Sequence, residues 1–181
     1  MIIEMAIGDA YGAGFEYVRD RRFVTEHNDL SSYVKHPRHR QKLGAYTDDT
    51  QMAIAVAELV VEGNEWTPER IASRFVDVFH RDKRAGYARG FLHFLKNTHD
   101  GATFIAGIHP DSDKSGAAMR AAPIGIYASI NEVIEKSTMQ AKLTHNTNEG
   151  INAAVAVSLM AHYFLYQVGP KAELPAFLAK H

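Results

Sequence analysis

The spacing of apolar residues restricts the fold of this chain more than any other feature. In the stretch DDTQMAIAVAELVVEG, Met52, Val56, Leu59 and Val60 recur at helical spacing, and Gly63 is a residue type that ends helices. No segment alternates apolar and polar residues as a half-buried strand would, and no two-residue hairpin turn separates two such segments. The pattern therefore predicts an all-α protein.

Further helices follow from the same criteria. In TPERIASRFVDVFHRD, Thr67 is a helix cap and Pro68 suits the first helical position. The predicted apolar face of this helix consists of Ile71, Phe75, Val78 and Phe79. Other helices are predicted in ARGFLHFLKNT, in AAMRAAPIGIYASINEVIEKSTMQAKLTH with a break near Pro123, in NEGINAAVAVSLMAHYFLYQVG up to Gly169, and in KAELPAFLAKH.

Two segments, Arg19–Tyr46 and Asn97–Gly116, are predicted to be irregular. Long connections in a helical domain tend to carry function. The first contains a basic cluster that either contacts phosphates or forms an ordinary solvated loop. The cluster comprises Lys35, His36, Arg38, His39, Arg40 and Lys42.

Length and composition limit the number of domains and the classes of protein that the chain can belong to. The chain has 181 residues, which suits a single domain over residues 1–181. Its net charge of -1 gives no overall field for nucleic acid or an anionic membrane. It has no cysteine, which excludes disulfides and thiolate metal sites, and no apolar run approaches a membrane span. We expect a cytoplasmic enzyme or binding protein.

The stretch YTDDTQMA admits two interpretations. Thr47 is a suitable helix cap, and Asp48 and Asp49 suit the positive end of a helix dipole. Alternatively, the hydroxyl and the two carboxylates converge on a hard cation, because Mg²⁺ and Mn²⁺ take oxygen ligands. The motif alone leaves both interpretations open.

Four other short motifs are modest when each is taken alone. Glu16 ends GDAYGAGFE, where small residues allow close packing or close approach of a ligand; an isolated surface glutamate is the ordinary alternative. Gly86 lies in DKRAGYARGF, a turn that could place backbone near a ligand. SDKSGAAMRAAPIG could present N–H groups of Ser115 and its neighbours to an anion, or be a simple turn. His145 precedes a helix capped by Asn146 or Thr147, and such a histidine usually packs or caps.

The order of these motifs is more specific than any one of them. GDAYGAGFE, YTDDTQMA, RAGYARG, SGAAMRAAPIG and LTHNTNEG, in this order, resemble the ADP-ribosylglycohydrolase family. That family includes the dinitrogenase-reductase-activating glycohydrolases and the ADP-ribosyl-acceptor hydrolases. The resemblance extends roughly from Gly8 to Ala156, and its most specific parts are the TDDT core and AMRAAPIG.

The resemblance implies a compact, orthogonal multi-helix all-α fold with a dinuclear Mg²⁺ or Mn²⁺ centre. It implies hydrolysis of the N- or O-glycosidic bond between ADP-ribose and an acceptor, which can be a protein or a small molecule. By this match Thr47, Asp48 and Asp49 would bind metal. Glu16 and Asp48 would be catalytic, with Glu16 positioning or deprotonating a water beside the ribose. The substrate-binding residues would be Gly86, Ser115, Gly116, Ala117, Met119 and His145.

The sequence departs from the family pattern in one respect. Family members complete the metal centre with a second acidic motif, D-x-D-T, well after the LTH segment, whereas Glu173 is the only acidic residue after Gly150 here. The single D-x-D, at Asp111 and Asp113, precedes the SGAAMR loop, whereas the family's second acidic motif follows the LTH segment. Its position in the order of family motifs is therefore wrong. We therefore expect the N-terminal portion of the fold, without its C-terminal helices, and a doubtful second metal site.

Three functions remain open. The chain could be an ADP-ribosylglycohydrolase, a non-catalytic module that binds ADP-ribose, or a structural member of the family. The TDDT core and Glu16 favour the hydrolase over a structural role, while the missing acidic motif favours the binding module. A portion of the fold could also expose apolar helix faces and self-associate.

Overall fold

The computed structural model describes all 181 residues, which form nine α-helices and three short 3₁₀ segments without a β-strand. The prediction of an all-α fold is confirmed. An isolated antiparallel bridge pairs Asp111 with His145. The helices are α1 (Ile2–Gly12), α2 (Arg21–His27), α3 (Asp48–Glu62), α4 (Pro68–Arg81), α5 (Arg89–Lys96), α6 (Gly101–Gly107), α7 (Ile130–Lys142), α8 (Asn148–Leu165) and α9 (Leu174–Lys180).

Helices α3 and α4 pack together in the middle of the main hydrophobic core. Both helices begin and end close to where the sequence predicts. The backbone of Gly63 adopts the left-handed conformation with φ 64° and ends α3. At the start of α4, Thr67 Oγ1 accepts a hydrogen bond from the Arg70 N–H at 3.3 Å. The predicted apolar faces are fully buried apart from Val60, which is partly exposed. The buried side chains include Met52, Val56, Leu59, Ile71, Phe75, Val78 and Phe79.

Three helices lie where the sequence predicted none. Helix α1 crosses the glycine-containing N-terminal segment and packs on α3. Helices α2 and α6 lie inside the two segments predicted to be irregular, and side chains of Asp20 and Asp100 cap their first turns. Helix α6 packs so closely on α4 that a Cβ at Gly101 would lie 2.3 Å from Ser73 Oγ. Close contact with α3 and α4 therefore supports α1 and α6, which contain glycine, whereas α2 has no buried residue.

The prediction of a regular helix before Pro123 is wrong. Residues Ser115–Ala117 and Ala122–Ile126 form two short 3₁₀ segments, and a regular helix begins only at Ile130. Proline lacks the N–H that an α-helix interior needs, so the chain turns more tightly around this point. Helix α8 packs against α7 and against Ala122–Ile126, which holds this compact segment beside the core.

The C-terminal end of α8 carries several exposed apolar side chains, including Phe164 and Leu165. Val168 lies just beyond the helix and is also half exposed. Self-association through such faces stays a prediction. None of the helices combines the length and the apolar character that a membrane crossing requires.

Candidate active site

A cleft of about 610 Å³ opens between the start of α3 and the loop before α7. Glu16, Asp48 and Asp49 line this cleft together with Ser115, Gly116, Met119 and His145. Gly86 also lines it. Thr47 lies in a smaller adjoining pocket beside Asp9, Glu16 and Asp49, and the side chain of Ala117 is buried in a small alanine cluster.

The start of α3 is capped from a distance by Asp9 of α1. The Asp9 carboxylate accepts hydrogen bonds from the N–H and hydroxyl of Thr47, both at 2.7 Å. It also accepts from the N–H of Thr50 at 3.2 Å and from its hydroxyl at 2.6 Å. Thr47 occupies the predicted N-cap position, but its own side chain caps nothing in α3. Asp9 satisfies those donors instead, which leaves Asp48 and Asp49 to face the cleft.

Burial disfavours negative charge on the two cleft carboxylates. Burial, followed by the charge of Asp49, raises the pKa of Asp48 from 3.8 to about 7. Burial, followed by the charge of Asp9, raises the pKa of Asp49. Glu16 contributes to both shifts because its charge lies nearby. The site thus concentrates negative charge that either protons or a cation can neutralise.

The Thr47 hydroxyl shows how a cation could be accommodated. Its oxygen lies 2.7 Å from Asp9 Oδ1 and 3.1 Å from Asp49 Oδ2. A hydroxyl has one proton, so it can donate to only one of these carboxylates. When the proton goes to Asp9, the Thr47 oxygen has free lone pairs beside Asp49 Oδ2, so both oxygens could bind a cation such as Mg²⁺ or Mn²⁺.

These ligand types fit a hard cation, but the set is incomplete. No group of three or more acidic, histidine or cysteine side chains is arranged so that together they could hold an ion. Thr47, Asp48 and Asp49 could supply oxygens from one side of an ion. Mg²⁺ and Mn²⁺ prefer about six oxygen ligands in total. Water or further ligands would complete the coordination.

The loop before α5 fixes the position of Asp48. The Asp48 N–H donates to the carbonyl of Ala85 at 2.9 Å, and Gly86 has φ 110°, a conformation that side chains other than glycine rarely adopt. The Tyr87 hydroxyl donates to Gln51 Oε1 at 2.7 Å, so the buried Gln51 of α3 also holds this loop. Gly86 therefore lies near the cleft because the loop is tied directly to α3.

The position of Glu16 depends on a buried histidine. His36 Nε2 donates to the Glu16 carbonyl at 2.8 Å, and His36 Nδ1 accepts from the N–H of His39 at 2.7 Å. His36 is buried, whereas the other members of the basic cluster are exposed to solvent. At least this member of the cluster holds the backbone that carries Glu16 rather than binding a ligand.

The Ser115–Ala117 turn of the cleft depends on a residue whose role the sequence does not reveal. Arg120 is 1% exposed and donates to Gln140 Oε1 at 2.6 Å and to Thr144 Oγ1 at 2.8 Å. Gln140 Nε2 in turn donates to the Ala117 carbonyl at 3.0 Å and so holds the Ser115–Ala117 turn. The sequence does not reveal the role of Asp9 either, although Asp9 lies in GDAYGAGFE and Arg120 in SGAAMRAAPIG. Neither spacing nor residue type reveals these long-range bonds.

The comparisons with known proteins agree on one family. A sequence model described as ADP-ribosylglycohydrolase matches residues 3–180, so the chain belongs to the ADP-ribosylglycohydrolase family. It is 31% identical over 169 residues to ADP-ribosylhydrolase ARH3 of Xenopus tropicalis, covering 88% of this chain and 47% of that protein. It is 26% identical over 174 residues to ADP-ribosylarginine hydrolase Tri1 of Pseudomonas putida, covering 91% of this chain and 45% of that protein.

The human ADP-ribosylhydrolase ARH3 is 26% identical over 178 residues, with 88% of this chain and 47% of the human protein covered. The chain spans about half the length of the curated relatives it matches. The predicted family is therefore confirmed.

Proposed function

We propose that the chain acts as an ADP-ribosylglycohydrolase that hydrolyses the N- or O-glycosidic bond between ADP-ribose and an acceptor in a metal-dependent reaction. One observation carries the proposal: Glu16, Asp48 and Asp49 share a cleft with Ser115, Gly116 and His145. Acidic groups and a turn suited to binding ribose and diphosphate thus line a single space. The names of the relatives support a hydrolase.

Thr47, Asp48 and Asp49 would hold Mg²⁺ or Mn²⁺. When bound, such an ion supplies positive charge that promotes ionisation of water at neutral pH. The family resemblance implies two ions, and this chain offers ligands for one side of such a centre. The raised pKa values of Asp48 and Asp49 support this assignment, because a cation would relieve the repulsion between them.

Glu16 would orient a water toward the glycosidic carbon or remove its proton. That carbon reacts through a state with oxocarbenium character, so nearby carboxylates also stabilise the developing positive charge. Gly86, Ser115, Gly116, Met119 and His145 would line the space for ADP-ribose. Ala117 would contribute through its backbone, since its side chain is buried.

The partner would be an ADP-ribosylated protein or small molecule. The cytoplasm is the compartment we expect for it. The net charge of -1 gives no reason to expect nucleic acid.

Steady-state kinetics on peptides ADP-ribosylated at serine or arginine, with Mg²⁺ or Mn²⁺ present, test the proposal. Asp48→Ala and Asp49→Ala should abolish turnover, because each removes charge that the transition state needs. Ser115→Ala should raise KM more than it lowers kcat, because Ser115 would contact bound substrate and transition state about equally. The matched control is Asp77→Ala, which removes an exposed carboxylate of α4 and should leave both constants unchanged.

Full activity of Asp49→Ala would refute the hydrolase assignment and leave the TDDT motif as a helix cap. Wild-type protein that binds ADP-ribose without hydrolysing any substrate would instead identify a non-catalytic ADP-ribose-binding member of the family.

A further inference from the structure

A buried chain of hydrogen bonds runs from Arg120 to the cleft. The Arg120 guanidinium donates to Thr144 Oγ1 at 2.8 Å and to the Gln140 carbonyl at 3.1 Å. Thr144 Oγ1 lies 2.7 Å from His145 Nδ1. All four of these side chains are buried, with Thr144 4% and His145 6% exposed. Their protons are therefore placed by the protein and not by solvent.

The Thr144 hydroxyl decides which nitrogen of His145 carries the proton. Arginine is only a donor, so Thr144 Oγ1 accepts from Arg120 and keeps its own proton for another acceptor. His145 Nδ1 is the acceptor that the structure offers. A proton on Nδ1 would leave the buried Thr144 hydroxyl without an acceptor, which is costly. The arrangement therefore places the ring proton on Nε2.

The Nε2 atom of His145 is buried and has no hydrogen-bond partner within the protein. The ring edge lies directly beside Gly116, where an added Cβ would come within 2.9 Å of Cε1 and 3.1 Å of Nε2. Both residues line the cleft. An unpaired buried N–H costs free energy until it finds an acceptor, and the space beside the Ser115–Ala117 turn is where a ligand oxygen could supply one.

We propose that Arg120 and Thr144 are positioning residues that hold His145 as the Nε2–H tautomer, so that His145 donates a hydrogen bond to an oxygen of the ligand in the cleft. The identity of that ligand as ADP-ribose rests on the proposed function. The tautomer itself follows from bonds within the protein.

The charge of Arg120 supports this role. No carboxylate pairs with Arg120, whose guanidinium lies over the Phe75 ring at 4.4 Å from its centre. Burial, together with the nearby Arg120 charge, lowers the pKa of His145 from 6.5 to about 4. The imidazole is therefore neutral at pH 7 and has one N–H to offer. Protonation would place two positive groups beside Thr144.

Long-range proton–nitrogen NMR spectra of ¹⁵N-histidine-labelled protein at pH 7, without ligand, read the tautomer directly. The His145 signals are assigned by their loss in His145→Ala. We expect the Nε2–H tautomer in the wild type and in Thr144→Ser, which keeps the hydroxyl. Thr144→Val, which keeps the shape and removes the hydroxyl, should show a mixture of both tautomers. A wild-type Nδ1–H tautomer, or an unchanged tautomer in Thr144→Val, would overturn the positioning role.

Calorimetric titration with ADP-ribose tests the donor. Thr144→Val should bind roughly tenfold more weakly than the wild type, as expected for one hydrogen bond, and Thr144→Ser should bind like the wild type. Equal affinity of Thr144→Val and the wild type would overturn the donor role. Absence of binding by the wild type would overturn the proposed function and the donor role together, and the NMR result would still decide the tautomer.

Discussion

A Cβ atom added to Gly86 would lie 1.8 Å from Oδ1 of Asp48. The loop before α5 and the acidic start of α3 therefore fit together only when residue 86 has no side chain. The positive φ of Gly86 adds a second requirement for glycine.

Gly86→Ala should reduce both stability and activity. The displaced Asp48 and the strained backbone should lower the free energy of unfolding by about 1–3 kcal/mol. Chemical denaturation and turnover of an ADP-ribosylated peptide measure the two effects. Gly8→Ala is the matched control, because a Cβ there meets nothing within 4 Å and lies inside α1. Gly8→Ala should raise the free energy of unfolding by about 0.5–1 kcal/mol. Wild-type turnover in Gly86→Ala would show that Asp48 tolerates displacement.

Asp9→Ala should destabilise the protein more than loss of an ordinary helix cap. Four donors of Thr47 and Thr50 would lose their acceptor in a partly buried site, at a cost of about 2–4 kcal/mol. Asp20→Ala is the comparison, since Asp20 caps α2 at the exposed surface and its loss should cost about 1 kcal/mol. Equal shifts in the midpoint of urea unfolding for the two variants would contradict this prediction.

Asp48→Asn should be more stable than the wild type in the presence of EDTA at pH 8. Burial and neighbouring acids disfavour the Asp48 charge, so its removal should raise the free energy of unfolding by about 1–3 kcal/mol. Added Mg²⁺ or Mn²⁺ should raise the Tm of the wild type and leave that of Asp48→Asn unchanged. Asp77→Asn, at an exposed position, should behave as the wild type does. A lower Tm of Asp48→Asn in EDTA would disprove the repulsion.

Metal binding by the wild type should be weak. The three proposed oxygen ligands come from one helix start, so water would have to fill most of the coordination shell. Isothermal titration calorimetry with Mn²⁺ should therefore give a dissociation constant above the micromolar range. Two ions bound at submicromolar affinity would show that other residues complete the centre, and Asp111 and Asp113 would then be the first to replace.

His145 should make the protein sensitive to mild acid. Its pKa is about 4 in the folded state and 6.5 in the unfolded chain, so only the unfolded chain takes up the proton between these values. The contribution of His145 to stability should accordingly be complete above pH 6.5 and be lost toward pH 4, by up to about 3 kcal/mol. The difference in unfolding free energy between wild type and His145→Gln, followed from pH 7.5 to pH 4, isolates this contribution. A difference that does not change with pH would contradict the prediction.

The sequence predicts helices α3 and α4 well because each carries its own signals. Thr67, Pro68 and Gly63 mark helix ends, and the apolar faces repeat at helical spacing. Helix α1 escapes prediction because Gly8 and Gly12 disfavour helix locally, while contact with α3 stabilises it.

The same distinction applies to the cleft. Its acidic and small residues stand in recognisable motifs, so Asp48, Asp49, Gly86 and Ser115 could be named from sequence. The supporting bonds of Asp9, Arg120 and Gln140 could not, since each joins residues that are distant in the chain. Residue types suggest which chemistry is available, but only the folded chain shows which partners hold the cleft residues in position.

The bond between Asp9 and Thr47 also determines when the acidic cluster can assemble during folding. It joins residues 38 positions apart, and closing a flexible loop of that length costs about 3 kcal/mol of chain entropy. Helix α3 can begin to form on its own, but its first turn stays uncapped until α1 docks. The Asp9 carboxylate joins Asp48 and Asp49 only after this long-range step, so we expect a partly folded chain to contain the helix without the complete acidic cluster.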